Sequence, residues 1–458
     1  MIRIKSFSIY LSSLVLLVSS CSRDVNTEDP ILSDPLTEVS PETEGAEVYQ
    51  RSSSEAIAIA KSFLGATEDL RSIDDVQLSL DFVAPSSKRK LRATDGSSVT
   101  PVDTPLFIIN VPNEGGFFLV SGDTRMPDLL AAVEHGNLDK NNVDANTGLA
   151  VFLSRLPIYY ENRLKAGKGP IPGDHIDPDE DDLYNPLKDS FPRYGMWESY
   201  KLVGPLVKTH WDQGFPFNKQ SPEIRGELAA AGCVNIAFAQ LIAFHRKPNS
   251  FRGLALDWEL LTNSKEQAKR LNEFETMVAS LCRKIGDATN TKWGLAKEGG
   301  SAANSRDIPK ILSKEMGYSH SSSMEDYDTK CVLISLEEEN PVPIVVRGDE
   351  EKITHGWWIF KYNSYKGGHS WLVDGLLKQK RLVERVSNET KKVISSHMAY
   401  RTLIHCNWGW GSRYDGYYTP GVFDQPHSVL QKASLYSRPE KDSSYFKYNL
   451  SCIRGIRP

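Results

Sequence analysis

Ala229-Ala-Ala-Gly-Cys233-Val-Asn-Ile-Ala-Phe-Ala-Gln-Leu-Ile-Ala-Phe-His245 is the stretch around which the chain is organised. Val234, Ala237, Phe238, Leu241 and Ile242 recur at helical spacing, and Pro248 closes the run. The pattern predicts a helix that buries one stripe and carries Cys233 in its first turn, just after Gly232. A thiol there meets the positive end of the helix dipole and unpaired backbone N–H groups. That setting favours thiolate and can lower a cysteine pKa from about 8.5 into a range of roughly 3.5–7.5. Read alone, Cys233 is more simply a small buried hydrophobe, as most free cysteines are. The rest of the chain overturns that reading.

At 458 residues the chain is long for one domain, and two folded units plus a tail is the natural division. A net charge of -5 gives no basic footprint for nucleic acid. Six cysteines (Cys21, Cys233, Cys282, Cys331, Cys406, Cys452) are scattered without metal-ligand spacing, which argues against a structural zinc. His405-Cys406 could suggest a ligand pair, but neighbours on one strand face opposite ways. No cofactor is called for.

The first 20 residues read as an export signal. Arg3 and Lys5 form its basic end, and Phe7 to Val18 is an apolar run too short to span a bilayer comfortably. Val18-Ser-Ser-Cys21 resembles a bacterial lipobox, so Cys21 is expected to be lipidated and to hold the protein on an envelope membrane. A plain cleaved signal or short anchor helix is the competing reading. Residues 21–50 are polar and acidic, a disordered tether in composition. Asp24, Glu28 and Asp29 are compatible with display at the cell surface.

Ala56, Ile57, Ala60 and Phe63 predict a short amphipathic helix. Strand patterns follow at Val76–Phe82, Leu106–Val111 and Gly116–Ser121, the last two as a hairpin, and Leu130 begins another. Thr147 to Leu164 is helical in pattern. Residues 51–166 hold no catalytic cluster and read as a helper domain. Residues 167–198 read as a linker, with the acidic run Asp174–Asp182. A calcium loop there lacks the glycine and terminal glutamate of an EF-hand.

Residues 199–458 supply what a cysteine nucleophile needs: a base, a group that orients the base, and donors for the oxyanion. His369 lies in Gly367-Gly-His-Ser-Trp-Leu-Val-Asp-Gly375, a loop entering an apolar strand. Asn407 and Trp408 lie in Ile404-His-Cys-Asn-Trp-Gly-Trp-Gly411, ahead of Asp415-Gly-Tyr-Tyr418. The Asn407 oxygen can accept from the imidazole and fix its tautomer, with Trp408 as a shield. The separation 369 − 233 = 136 falls in the papain-like range of about 130–150. Upstream, Gln213 in His210-Trp-Asp-Gln-Gly-Phe-Pro-Phe217 offers an amide N–H that, with the Cys233 N–H, would form an oxyanion hole. One such donor is worth roughly 10²–10³ in rate.

These motifs, in this order, resemble the streptopain family of secreted bacterial cysteine peptidases. The matching pieces are Trp211–Asn218, Ala231-Gly-Cys-Val with Gln240 and His245, Gly367–Gly375 and Asn407–Tyr418. Lys297-Glu-Gly-Gly-Ser-Ala302 resembles a family loop near the active site. The ending Cys452–Pro458 fits, and Gly115–Asp123 resembles the family's propeptide. The likeness runs from about residue 54 to the end. It implies a papain-like α+β catalytic domain behind a small α+β inhibitory prodomain that blocks the cleft until cleaved. It also implies Cys233 as nucleophile, His369 as base and acid, Gln213 as oxyanion donor, and Asn407 with Trp408 holding His369. Asn235, Ser370 and Ser412 depart from the usual family residues, and the charged insert Lys378–Lys392 stands among the divergent loops that set substrate preference.

The sequence therefore predicts an exported, lipid-anchored cysteine endopeptidase made as a self-inhibited zymogen. Its partners would be protein or peptide substrates, its own propeptide and, through Cys21, a membrane; nucleic acid is not among them. Two readings compete. One is a catalytically silent surface adhesin or inhibitor on a peptidase fold. The other is an acyltransferase of the transglutaminase or arylamine N-acetyltransferase type, with Asp374 as its acid.

Overall fold

Backbone hydrogen bonds join twelve strands into one sheet that runs through both halves of the chain. The computed structural model describes residues 50–67, 78–83, 91–92, 98–99, 106–139, 148–165, 190–348, 369–424 and 450–458. The export signal, nearly all of the tether, the acidic run and Gly367-Gly368 lie outside them.

Helix α1 (Ser53–Thr67) starts at a reciprocal capping box. The Ser52 N–H donates to Glu55 Oε2 at 2.7 Å, and the Glu55 N–H donates to Ser52 Oγ at 3.2 Å. Strands β1 (Ser79–Val83), β2 (Leu106–Asn110), β3 (Phe117–Ser121) and β4 (Leu129–Val133) follow, then helix α2 (Gly148–Lys165). The expected hairpin is β2–β3, with Ile108 opposite Leu119. Next come β5 (Ser190–Tyr194) and β6 (Glu198–Val203). Ser190–Tyr194 falls within the stretch that reads as a linker, yet its backbone is paired with the sheet.

The second half opens with α3 (Cys233–His245), which ends where Arg246 turns left-handed and caps the Ile242 and Ala243 carbonyls. Helices α4 (Trp258–Thr262), α5 (Ser264–Lys269), α6 (Leu271–Ala288), α7 (Ile308–Glu315) and α8 (Thr329–Leu336) follow, with the short β7 (Glu325–Asp326) between the last two. The sheet strands β8 (Ile344–Gly348), β9 (His369–Ser387), β10 (Val393–Asn407), β11 (Gly416–Tyr418) and β12 (Leu450–Ile453) complete the fold. The order is β1-β2-β3-β4-β11-β10-β9-β8-β12-β7, with β5 and β6 both on β9.

Most of Lys378–Lys392 is strand, and only 388–392 form the turn that follows it. Lys378 to Ser387 continues β9, antiparallel to β10, with Gln379 and Val383 buried while Lys378, Lys380, Leu382 and Glu384 are more exposed. A charged stretch mimics a loop in composition when only one face of a strand is apolar.

Two cores flank the centre of the sheet. Helix α3 is buried along nearly its whole length against α6 and the faces of β8 and β9 that carry Val345 and Leu372. On the opposite face, α2 places Leu149, Phe152 and Leu156 among Trp371, Trp408, Tyr418 and Phe423. Helix α1 covers Leu377, Leu403 and Tyr417 further along. The N-terminal half is thus built into the sheet through β4–β11 and into the core through two helices. Residues Tyr49–Pro458 form one unit.

Candidate active site

Gly232, with φ 93°, makes the turn into α3, and a Cβ there would stand 3.2 Å from Ser301 Cβ and from the Ser301 carbonyl. Glycine is therefore required on both conformational and steric grounds. Ser301 belongs to the glycine-rich loop; its hydroxyl donates to the Ala230 carbonyl at 2.6 Å and accepts from Gly294 N–H at 3.0 Å. Asn235, one of the departures from the family pattern, donates to the Ala231 carbonyl at 2.8 Å and accepts from Thr289 at 2.9 Å. Both sides of the turn before Cys233 are thus held.

Cys233 is 8% exposed. Burial pushes its thiol up, while the backbone N–H groups of Ser370, Val234 and Cys233 itself, with Arg347, pull it down. Burial wins here, so the thiolate expected from the helix terminus alone is not the resting form. The contact from Ser370 brings the start of β9 to the sulfur, one residue after His369.

His369 is buried, its ring lying 6.0 Å from Trp371 at 14° and 6.5 Å from Trp410 at 22°. Its Nε2 is 3.1 Å from the Trp408 carbonyl oxygen. A carbonyl only accepts, so the neutral ring carries its proton on Nε2 and leaves Nδ1 free to take one. Burial lowers the ring to about 4, against the upward pull of that carbonyl. Thiol and imidazole are both held uncharged.

Among the described residues, no hydrogen bond joins His369 to Asn407 or Cys233. The Asn407 side chain accepts from Gln240 Nε2 at 2.9 Å and donates to the Thr209 carbonyl at 3.0 Å. Gln240 Oε1 in turn accepts from Thr209 Oγ1 at 3.0 Å and from Trp211 N–H at 3.1 Å. This buried network ties α3, the segment before Gln213 and the end of β10 together. Trp408 meets the ring through its backbone, and its own N–H is held by Asp415 Oδ1 at 2.8 Å. Gln213 is buried, and its carbonyl accepts from Ala231 N–H at 2.8 Å, two residues before Cys233.

Sequence reasoning missed Asp415 and the backbone of Ser370, and gave Gln240 no role of its own. A buried glutamine at helical spacing from Cys233 was the available signal for Gln240. Asp374 is fully buried and occupied elsewhere: Oδ1 lies 2.6 Å from His405 Nδ1, and Oδ2 accepts from Val207 N–H at 2.9 Å. That removes it as the acid of an acyltransferase triad.

The N-terminal half reaches this centre from behind. Gly148, at the start of α2, lies against the Trp408 indole so closely that a Cβ would fall 1.7 Å from Cε3. Arg155, further along α2, donates to the Val422 and Asp424 carbonyls at 3.0 and 2.9 Å.

Residues 211–418, which span all five candidate residues, match the family described as Peptidase C10. Streptopain of Streptococcus pyogenes serotype M28 is 22% identical over 365 residues, covering 68% of this chain and 73% of streptopain. The thiol protease/hemagglutinin PrtT of Porphyromonas gingivalis is 25% identical over 213 residues, covering 44% of this chain and 21% of that protein. Among solved structures, a fragment of Prevotella intermedia prointerpain A is similar with a TM-score of 0.48 at 17% identity, covering 83% of this chain and 99% of the fragment.

Proposed function

We propose that this chain is a streptopain-like cysteine peptidase, as its likeness to the Peptidase C10 family and to streptopain supports, and that it is an exported endopeptidase made as a self-inhibited zymogen. Export and a lipid on Cys21 rest on the basic, apolar and Ser-Ser-Cys pattern of residues 1–21. Residues 51–166 are read as the propeptide.

The observation that carries the mechanism is the placement of Cys233 and His369. The thiol sits at a helix N-terminus beside the Ser370 N–H, and the imidazole one residue earlier has Nε2 on a carbonyl. In the proposed cycle, Nδ1 of His369 takes the proton of Cys233, and the thiolate attacks a peptide carbonyl. The Cys233 N–H and the Gln213 amide hold the oxyanion. His369 then protonates the leaving amine, and water hydrolyses the thioester. Trp408 fixes the tautomer through its carbonyl, and Asn407 acts through Gln240 by holding that segment in place.

Latency follows from the same electrostatics. A thiolate–imidazolium pair is charged, and a buried site disfavours charge. With burial raising the thiol and lowering His369, the resting pair is neutral. The α2 contact on the Trp408 indole, itself 6.2 Å from the His369 ring, supports the propeptide as a contributor to the burial of His369. Because Ser190–Tyr194 and Glu198–Val203 are paired with β9, activation is expected to cut before Ser190 and leave both strands on the enzyme.

The test is to incubate the soluble chain from Ser22 with and without a cysteine-directed epoxide, then measure intact mass and N-terminal sequence. A fragment beginning before Ser190, blocked by one label on Cys233, is expected. Unlabelled protein that neither processes nor hydrolyses peptides, even after its linker is cut by an added protease, would sink the proposal.

A further inference from the structure

Asp128, the residue before β4, ends in a site made by the other half of the chain. Its side chain is 10% exposed, and its Oδ2 accepts from Trp197 Nε1 at 3.0 Å and lies 3.4 Å from Arg381 Nη1. Its Oδ1 lies 3.2 Å from Arg401 Nη1 and accepts from the Leu129 N–H at 2.8 Å. Against the upward push of burial, the Arg401, Arg381 and Arg51 charges and the Trp197 N–H hold this carboxyl well below the usual range.

The receiving groups are braced independently of Asp128. The Arg381 guanidinium lies 4.4 Å from the ring centroids of both Tyr194 and Trp197, and Arg401 lies 4.3 Å from Trp197. Arg401 Nε donates to Gln379 Oε1 at 2.7 Å, and Gln379 Nε2 donates to Ser199 Oγ at 3.1 Å. Gly195 N–H is tied to the Leu382 carbonyl at 2.8 Å. Every one of these residues lies at or beyond Ser190. Two guanidinium groups and an indole N–H, oriented by aromatic stacking and a glutamine, suit a small anionic group, and the one they hold here is a carboxylate.

We infer that Trp197, Arg381 and Arg401 are a carboxylate receptor which Asp128 fills in the precursor and which, in the processed enzyme, takes an acidic side chain on an extended segment of a protein substrate. The inference rests on the zymogen reading above. The segment's form follows from what Asp128 leads into. Strand β4 pairs antiparallel with β11, with Ala132 opposite Tyr417. Leu129 and Ala132 pack with Leu377, Leu403 and Tyr417. Loss of the propeptide opens the edge of β11 and this apolar strip beside the two arginines. An open edge accepts an added strand through its backbone and selects it by side chains. The matching ligand is an acidic residue followed by an apolar strand, docked away from the thiol.

The probe is a labelled peptide of residues 126–135, Met-Pro-Asp-Leu-Leu-Ala-Ala-Val-Glu-His, added to processed enzyme whose thiol has been blocked. Fluorescence anisotropy should show saturable binding, weakened about tenfold or more when the peptide carries Asp128→Asn, as expected for loss of a charge-assisted contact. The Asp peptide should also weaken with added salt, and the Asp-over-Asn preference should vanish on Arg381→Gln enzyme. Joined to a cleavable sequence, the Asp segment should lower KM against its Asn counterpart with kcat unchanged. No binding, or equal binding of the two peptides to native enzyme, overturns the receptor whether or not the Arg381 variant folds. Failure of the processed enzyme to hydrolyse short peptides would instead overturn the zymogen reading.

Discussion

His369 and His405 stand at neighbouring ends of β9 and β10, both buried, yet one is neutral and the other positively charged. His369 is enclosed by the rings of Trp371, Trp408 and Trp410 and by one carbonyl, and burial takes it down to about 4. Burial pulls on His405 as well, but Asp374, Glu134 and Asp415 outweigh it and raise that ring to about 9. Glu134, from the N-terminal half, is itself pushed up by burial, against the pull of His405. Equal burial therefore gives opposite protonation, and the sign is set by what faces the ring. The charged histidine joins two halves of the chain; the neutral one is left able to take a proton.

The comparison breaks most sharply if the two residues are exchanged in role. His369→Ala in the processed enzyme should lower kcat/KM by about 10²–10⁴ while the protein still folds. Peptide hydrolysis read beside far-UV circular dichroism checks this, and an unchanged rate would remove His369 from the chemistry. His405→Gln in the precursor should do the reverse. It leaves the Asp374 and Glu134 carboxylates without their cation and should cost about 3–5 kcal/mol in urea unfolding. Neutral behaviour would show that the buried cluster is not held by its charge.

The pH dependence sharpens the contrast. His369 is depressed, so the precursor should lose stability as pH falls from the ordinary histidine value through about 4. His405 is raised, so its contribution is complete below the ordinary value and is lost as pH rises through about 9. Glu134, also raised, acts in the same direction as His405. Unfolding midpoints across pH should show His405→Gln flattening the alkaline limb and His369→Ala the acid limb. The same limb flattening in both variants would defeat the assignment.

A smaller effect is expected at the back of the site. Gly148→Val must displace α2 from the Trp408 indole, an overpacking cost of about 1–3 kcal/mol. Uncleaved precursor should then gain peptidase activity by about tenfold, with the His369 pKa moving up from its buried value. A precursor as silent as the parent would show that α2 is not what keeps the ring dry.

Much of the site was legible because its signals are local. A glycine before a helical cysteine and a histidine opening an apolar strand each follow from spacing within a few residues, and the structure has both. What was not legible depends on pairing across the chain. Lys378–Ser387 read as a divergent loop because its charge is visible in composition, whereas the partners that make it a strand, β10, β5 and β6, are not. Gln240 read as one more position of a helix, yet it links Thr209, Trp211 and Asn407. His405 and Glu134 lie far apart in sequence and acquire meaning only when β4 and β10 flank β11.

The β4–β11 pairing has a consequence for how the enzyme persists. Contacts such as Arg155 with Val422 close a loop of 267 residues, the kind of long-range closure that slows folding. In the full chain, β4 offers β11 a strand to pair with, and α2 supplies part of the core around Trp371 and Phe423. If the proposed processing removes residues 51–166, it also removes this pairing strand and this part of the core, and a processed chain that unfolds would have to refold without them. Durability of such a form would rest on the height of its unfolding barrier. Its working life would then be a matter of rate, prepared by the strand and helix it no longer carries.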